Sequence, residues 1–219
     1  MTSSKNLVIA ATLLAMASCA NPTDNKEASA TAAAPATAEA APAAEPAPAL
    51  PDSATAAKNW MEAMTPGKMH EMLAARVGVW TADMTMWMAE GAPPSNTKGE
   101  AQYKMIMGGR YLQTTYKATM DNMPFEGMSL SAWDNAAQKL TETWIDNMGT
   151  GIMIVEGTYN EATKATETKG TCMDPALRVE KEVREVTTMT DATHMTMEMF
   201  ETIKGGKERK TMEIKYTKK

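Results

Sequence analysis

The sequence predicts an all-β protein, an antiparallel up-and-down barrel of about ten strands preceded by a short helix. Apolar and polar residues alternate in ten stretches between Trp80 and Tyr216, and this period of two is typical of strands with one buried face. Short turn sequences separate the stretches, whereas a parallel sheet needs long crossovers. A twisted sheet of this size closes or splits, and closure also removes the edge strands. A two-sheet sandwich is the alternative.

The alternating stretches follow one another closely along the chain. They comprise residues 80–88, 101–107, 112–120, 125–133, 140–146, 152–159, 163–172, 179–187, 195–203 and 211–216. Gly205-Gly206 between the last two predicts a two-residue hairpin. Ahead of the first strand, the apolar spacing predicts one short turn and then a helix over residues 66–75, with Pro66 at its start.

The N-terminus has the pattern of a bacterial lipoprotein signal. Lys5 is followed by an apolar run over residues 7–17 and by small residues that end at Cys19. The run of about 11 residues is too short for a permanent membrane span. We therefore expect residues 1–18 to be a signal peptide and Cys19 to be the lipidated residue. This predicts a lipid-anchored protein of the bacterial cell envelope, at the outer membrane on its periplasmic or surface side.

Residues 19–57 have the composition of a disordered tether. Alanine, proline, glutamate, serine and threonine dominate, and aromatic residues are missing until Trp60. Such a segment cannot bury enough apolar surface to offset the entropy of ordering it. The folded domain is expected over residues 58–219.

Charge and cysteine content exclude several classes of function. The chain has a net charge of −5 at pH 7 and no clustered basic surface, so nucleic acid is not an expected partner. There are two cysteines, and acylation of Cys19 leaves Cys172 without a disulfide partner. A buried, unreactive thiol is the expected state of Cys172.

The chain contains 22 methionines, and three readings of them remain open. In the first they fill the core, because flexible thioethers adapt to irregular interiors. In the second they line a pocket for a small apolar ligand if the barrel does not fill itself. In the third they bind copper(I), a soft metal, although His194 points away from Met195 on a strand. The residues that we expect to line such a pocket are Trp80, Met84, Met86, Met88, Tyr103, Met105, Met107, Arg110, Tyr116, Trp133, Trp144, Met195, Met197 and Met199.

No catalytic motif stands out, and no cofactor or metal site is predicted. Should the barrel be an enzyme, four polar residues are the first candidates to converge in its cavity: Arg110, Tyr116, Asp146 and His194. Other carboxylates, Glu142 among them, are expected on solvent faces or in turns. His70 and His194 are expected at the surface or as helix caps.

Several short segments resemble a known family. Gly78-Val79-Trp80 is similar to the Gly-x-Trp that opens calycin barrels, the group that includes lipocalins. The folded part as a whole resembles the bacterial domain of unknown function 1579. The segments that carry this likeness are Val77-Gly78-Val79-Trp80, Gly108-Gly109-Arg110-Tyr111-Leu112, Phe125-Glu126-Gly127, Trp133-Asp134-Asn135 with Lys139-Leu140, Thr143-Trp144-Ile145-Asp146, and Met212-Glu213-Ile214-Lys215-Tyr216-Thr217-Lys218.

The resemblance implies a calycin-like barrel and no established activity. It also implies that a basic side chain from the last strand covers the first-strand tryptophan, here Lys218, or else Lys215 or Arg209, over Trp80. The leading hypothesis is therefore a lipid-anchored binding module for a small apolar molecule. An enzyme or a thioether copper(I) protein is the alternative.

Overall fold

The computed structural model describes residues 48–219, in which two short helices precede ten strands. Helix α1 spans Ser53–Met64 and helix α2 spans Lys68–Ala74. The expectation of a single short turn before α2 is wrong, because α1 has 12 residues. Its start is fixed by Asp52, whose carboxylate accepts hydrogen bonds from the backbone N–H groups of Ala54 and Thr55 at 2.9 Å, as a good N-cap residue does.

The ten strands form one closed antiparallel up-and-down barrel, which confirms the predicted fold. Each strand pairs with its neighbours in the sequence, and β1 pairs with β10 to close the barrel. Their bounds are β1 Gly78–Met86, β2 Ser95–Ile106, β3 Tyr111–Met120, β4 Met123–Asp134, β5 Lys139–Asp146, β6 Met153–Asn160, β7 Ala165–Asp174, β8 Val179–Met189, β9 His194–Ile203 and β10 Arg209–Lys218.

Two local predictions about strand ends differ from the structure. Strand β1 ends at Met86, two residues earlier than expected, and the chain then crosses a loop that contains Pro93 and Pro94. The predicted two-residue hairpin at Gly205-Gly206 is also wrong, because five residues separate β9 from β10. The turn nevertheless begins there, with the Gly206 N–H bonded to the Ile203 carbonyl at 2.7 Å.

The two ends of the barrel differ in how tightly they are packed. We call the end beside α2 the floor and the opposite end, at the β1–β2 and β9–β10 connections, the mouth. Several side chains near the floor are fully buried, namely Leu73, Trp80, Leu112, Leu140 and Met195, although Met105 and Trp133 are half-buried. Near the mouth Phe125 is buried, but most inner-face side chains keep partial exposure; these are Met86, Met120, Trp144, Cys172, Ile203 and Met212. The interior is thus more open towards the mouth.

The expectations for residues 1–47 lie outside the described residues. They include the signal peptide, Cys19 and most of the tether. Within residues 48–219, neither helix combines the length and apolar character needed to cross a bilayer.

Candidate ligand-binding site in the barrel lumen

The closure between β1 and β10 brings together Gly78, Trp80 and Lys218. Trp80 is opposite Lys218 in the strand register, and the Lys218 Nζ lies 5.4 Å from the centre of the indole ring. Gly78 leaves room for this lysine, since a Cβ there would lie 2.7 Å from Lys218 Cε. Sequence analysis paired these residues on the strength of the resemblance. The indole N–H of Trp80 donates to the Arg76 carbonyl at 2.8 Å and ties the floor to the chain after α2.

A buried ion pair lies above this floor. Arg76 enters the barrel between α2 and β1 and is 5% exposed. Its Nη1 is 3.7 Å from Glu142 Oε1, and its Nη2 donates to the Thr166 hydroxyl at 3.2 Å. The Ser131 hydroxyl also donates to Glu142, at 2.7 Å. The Nε atom of Arg76 is buried without a partner among the described residues.

Glu185 places a second carboxyl on the inner face, midway along β8. Its strand neighbours are Thr168 on β7 and Met199 on β9. Burial raises the pKa of Glu185 to about 8, and the nearby charge of Glu142 adds to the increase. A carboxyl with this pKa is mostly protonated near neutral pH, so it can both donate and accept a hydrogen bond. No described side chain or backbone group forms a hydrogen bond that contributes to this shift.

The inner layer around Glu185 is partly open. Thr168 is 1% exposed and Val183 is 2% exposed, whereas Met199, the neighbour of Glu185 on β9, is half-buried. Glu185 itself is only half-buried. Since the residue faces the interior, its remaining accessible surface indicates space inside the lumen.

Two tyrosines add hydroxyl groups near these carboxyls. Tyr103 and Tyr216 pack edge to face with their ring centres 6.2 Å apart. Burial raises the pKa of Tyr103 to about 12 and that of Tyr216 well above its ordinary value. Both therefore stay protonated and remain able to donate a hydrogen bond.

The mouth carries a second polar cluster and an aromatic pair. The Lys181 Nζ lies 2.8 Å from Glu201 and 3.6 Å from Asp174. Burial alone would lower the pKa of Lys181, but the hydrogen bond and charge of Glu201 outweigh it and raise the pKa. Cys172, opposite Lys181 in register, is half-buried, and burial raises the pKa of its thiol. The low thiolate content disfavours nucleophilic chemistry at this cysteine.

Across the mouth, Phe125 and Trp144 stack with ring centres 6.5 Å apart. The indole N–H of Trp144 donates to Asp146 at 2.7 Å, which fixes the ring. Gly127 makes this placement possible, since a Cβ there would lie 2.3 Å from the Trp144 ring. The mouth thus offers aromatic and thioether surface beside charged groups.

Most of the residues proposed to line a pocket do face the interior. Five are buried, namely Trp80, Met84, Tyr103, Tyr116 and Met195. Six are half-buried, namely Met86, Met105, Trp133, Trp144, Met197 and Met199. Whether they contact a ligand stays a prediction.

Three proposed lining residues lie outside the barrel, so their expected inward orientation is wrong. Met88 is 74% exposed because the strand has already ended at Met86. Met107 is 71% exposed and has a φ of 48°, because it lies in the turn after Ile106. Arg110 is exposed beside the same turn, where its guanidinium donates to the Met107 carbonyl at 3.2 Å.

The four residues proposed for an enzyme do not converge. Arg110 and His194 are on the outside, and His194 pairs with Asp191 at 3.0 Å. The Tyr116 hydroxyl is buried without a partner among the described residues, and its ring lies across Gly99. Asp146 binds Trp144 at the mouth. This set does not form a catalytic site.

Of the two roles expected for His70, the helix cap is confirmed and the surface position is wrong. The residue is 6% exposed, and its Nδ1 accepts a hydrogen bond from the Gly67 N–H at 3.1 Å. It therefore caps the start of α2. Burial and the charge of Arg110 lower the pKa of His70, which favours the neutral, accepting ring.

Sequence reasoning missed the polar groups of the lumen. Glu142 was expected to face solvent, yet its side chain is 13% exposed. It shares the inward phase of Leu140 and Trp144, just as Glu185 shares the phase of Val183. The sequence did contain a signal for the two glutamates, because each occupies a position that the alternation assigns to the buried face of its strand. It contained no comparable signal that Arg76 enters the barrel.

Two concavities lie apart from the proposed lining. One of about 550 Å³ runs along β7, β8 and β9 and contains Arg184, Phe200 and Glu208. The other, about 250 Å³, lies beside α2 between Met72, Tyr159 and Met189. Neither is formed by the residues proposed to line the lumen. Among residues 48–219, no cluster of three or more histidine, cysteine or acidic side chains is arranged to hold a metal ion.

Comparison with known proteins settles the family. The model of the family described as "Protein of unknown function (DUF1579)" matches residues 65–218. The chain belongs to this family. No curated protein matches the sequence.

The fold also resembles solved structures at low sequence identity. The crystal structure of Rv2717c from M. tuberculosis is similar with a TM-score of 0.52 and 11% identity, over 71% of this chain and 99% of that one. A redesigned β-barrel gives a TM-score of 0.37 and 12% identity, over 70% of this chain and 99% of that one. The first likeness supports the barrel fold of this DUF1579 protein and nothing about its activity.

Proposed function

We propose that this DUF1579 protein is a binding module that holds a small, mainly apolar molecule in the barrel lumen. The single observation that carries the proposal is Glu185, an inward, half-buried carboxyl that forms no hydrogen bond with a group of residues 48–219. Buried polar groups are normally hydrogen-bonded. A ligand group that pairs with Glu185 would satisfy it.

The two ends of the lumen suggest how such a molecule is oriented. The polar end would approach Glu185 and the tyrosine hydroxyls, because Tyr103 and Tyr216 lie near the floor and Glu185 lies midway along β8. The apolar remainder would extend past the half-buried Met199 towards Trp144 at the mouth. Since Glu185 is mostly protonated near neutral pH, a hydroxyl or carbonyl group fits it better than a carboxylate does.

The experiment is native mass spectrometry of the protein purified from its own host. The wild-type protein is expected to carry a discrete added mass that is lost on denaturation. Ser129→Trp puts an indole on the inner face of β4, where Ser129 is half-buried opposite Trp144, and should abolish the added mass. Leu130→Trp on the outer face of the same strand is the control and should retain it.

Thermal unfolding shows whether each variant is folded. Wild-type protein without added mass, together with no saturable binding of an apolar fluorescent dye, would refute the proposal. Equal loss in both folded tryptophan variants would also contradict a lumen site.

We further propose that the domain is lipid-anchored at Cys19 in the bacterial cell envelope. The order Lys5, apolar run, small residues and cysteine supports this. Several acyl chains on one cysteine would hold the protein at the membrane. The mass of the N-terminal peptide from membranes of the host tests the idea: acylated Cys19 is expected, and an unprocessed or unmodified N-terminus contradicts it.

A further inference from the structure

Helix α1 carries an apolar stripe that no part of the described chain covers. Ala57, Trp60, Met61 and Met64 follow the spacing that puts residues on one helix face. Trp60 is 69% exposed, Met61 60% and Met64 45%, and the helix has no buried residue. Helical stripes of this kind normally pack against a core, and most helices in proteins depend on that packing for stability.

The helix is held to the barrel by its backbone. The Asn135 side-chain amide donates to the carbonyls of Glu62 and Thr65 at 3.0 and 2.8 Å. The Arg110 guanidinium donates to the Met64 carbonyl at 2.9 Å. These bonds to backbone carbonyls hold the C-terminal end of α1 against the barrel without using the side chains of its apolar face. The apolar face therefore has a fixed orientation relative to the barrel.

Met107 lies near the C-terminal end of this stripe. Arg110, which binds the Met64 carbonyl, also donates to the Met107 carbonyl at 3.2 Å. Met107 is 71% exposed in its turn. We call the exposed set of Trp60, Met61, Met64 and Met107 the α1 patch. Apolar residues scattered singly on a surface need no explanation, but a contiguous patch marks a contact site.

We propose that the α1 patch docks on the surface of a phospholipid bilayer. Tryptophan and methionine supply the amphipathic and apolar groups that enter the interface between head groups and acyl chains. The helix has a polar side for water, on which Lys58 pairs with Glu62 at 3.6 Å. Because that pair neutralises itself, apolar contact and not charge attraction drives docking.

The position of α1 in the chain points to a bilayer and not to a protein partner. This argument rests on the proposed lipid anchor: only about 33 residues separate Cys19 from Ser53, and a coil of that length reaches roughly 30 Å. An anchor at that distance keeps α1 at a high effective concentration near the membrane. Even a weakly binding helix then docks for much of the time.

The test uses the mature chain from Cys19 to Lys219, prepared with and without acylation. Vesicles of phosphatidylethanolamine and phosphatidylglycerol carry brominated acyl chains that quench nearby tryptophan. Emission from Trp60 is taken as the difference between wild type and Trp60→Phe. Met61→Glu puts a charge on the stripe, whereas Asn59→Glu adds the same charge on the opposite face and is the matched control.

Trp60 emission is expected to be quenched in both forms of the chain and to be little affected by salt. Met61→Glu should weaken the vesicle binding of the unacylated chain roughly tenfold, while Asn59→Glu leaves it near wild type. If the proposed lipid anchor is wrong, the N-terminal peptide from the host carries no acyl mass, but Trp60 of the unacylated chain is still quenched by the vesicles. Docking is refuted if Trp60 is unquenched in both forms, or if Met61→Glu instead dissociates a dimer seen in ultracentrifugation.

Discussion

Lys218 lies over Trp80 at the seam where the last strand meets the first. The two residues are register partners, and the Nζ atom is 5.4 Å from the ring centre. The tryptophan is fully buried, so the lysine side chain forms part of the wall that separates it from solvent. The stability of the closed barrel should therefore depend on this pair.

Lys218→Ala is expected to lower the free energy of unfolding by about 0.5 to 2 kcal/mol, the range for a cation over an indole ring. Urea denaturation followed by circular dichroism measures it. Lys215→Ala on the same strand is the control: its side chain is 70% exposed, and we expect a change within about 0.5 kcal/mol. Equal effects of the two substitutions would rule out a special role for Lys218.

Gly78→Ala should be destabilising for two separable reasons. Gly78 has a φ of +138°, a region that costs a residue with a side chain about 1 to 3 kcal/mol. The new Cβ would also collide with Lys218 Cε. In a Lys218→Ala background the collision disappears, so the cost of Gly78→Ala should fall by about 1 kcal/mol in a double-mutant cycle. Strict additivity would show that the two residues do not touch.

Arg76→Met should be among the most damaging single changes in the lumen. It leaves the Glu142 carboxylate buried without its cation, and breaking one half of a buried pair costs about 3 to 5 kcal/mol. Replacing both partners, as Arg76→Met with Glu142→Gln, should recover most of this loss. Urea titration measures the free energy of unfolding of the single and double variants. A double variant as unstable as Arg76→Met alone would contradict the pairing of Arg76 with Glu142.

The pKa of Glu185 predicts a specific pH dependence. The ordinary value of 4.5 rises to about 8 in the folded protein, so the folded state keeps a proton that the unfolded chain releases. The contribution of Glu185 to stability is then highest below about pH 4.5 and falls as the pH rises to about 8. The loss should be about 1 to 3 kcal/mol, because the half-buried side chain retains some solvent contact.

Glu185→Gln removes this titrating group, so its unfolding free energy should lose that part of the slope between pH 5 and 8. Glu182→Gln, on the exposed face of the same strand, should keep the wild-type slope. Parallel curves for wild type and Glu185→Gln would mean that the carboxyl is ionised in the folded protein.

The methionines should divide into core and surface groups. Met195 is 1% exposed and Met88 is 74% exposed. Met195→Ala is therefore expected to cost about 2 to 5 kcal/mol, and Met88→Ala less than about 0.5 kcal/mol. Thermal unfolding of the two variants compares them directly. A similar small effect for both would show that the interior adapts to the lost volume.

The barrel was predictable because period-two alternation repeats in every strand. The interior of β1 follows it, with Trp80, Ala82 and Met84 buried on one face. The ends of the strands could not be predicted as accurately, because an alternating sequence does not show at which residue strand pairing stops. Met88 and Met107 continue the pattern in the sequence but lie beyond the last paired residues.

The polar part of the site was out of reach for a different reason. Arg76 enters the lumen from the α2–β1 junction, and only the three-dimensional path of the chain brings it to Glu142 on β5. Glu185 meets Glu142 across the barrel, at a distance in sequence that periodicity does not encode. Helix α1 was predicted only as one short turn, because its first residues have the alanine-rich composition that was assigned to the tether.

The central claim is that the lumen holds a small molecule with its polar end at Glu185. A crystal structure of the protein purified from its own host, without added ligand, tests this most directly. We expect electron density for a bound molecule between the Glu185 carboxyl and the Trp144 ring. A lumen filled by the protein's own side chains, with Glu185 hydrogen-bonded to one of them, would contradict it.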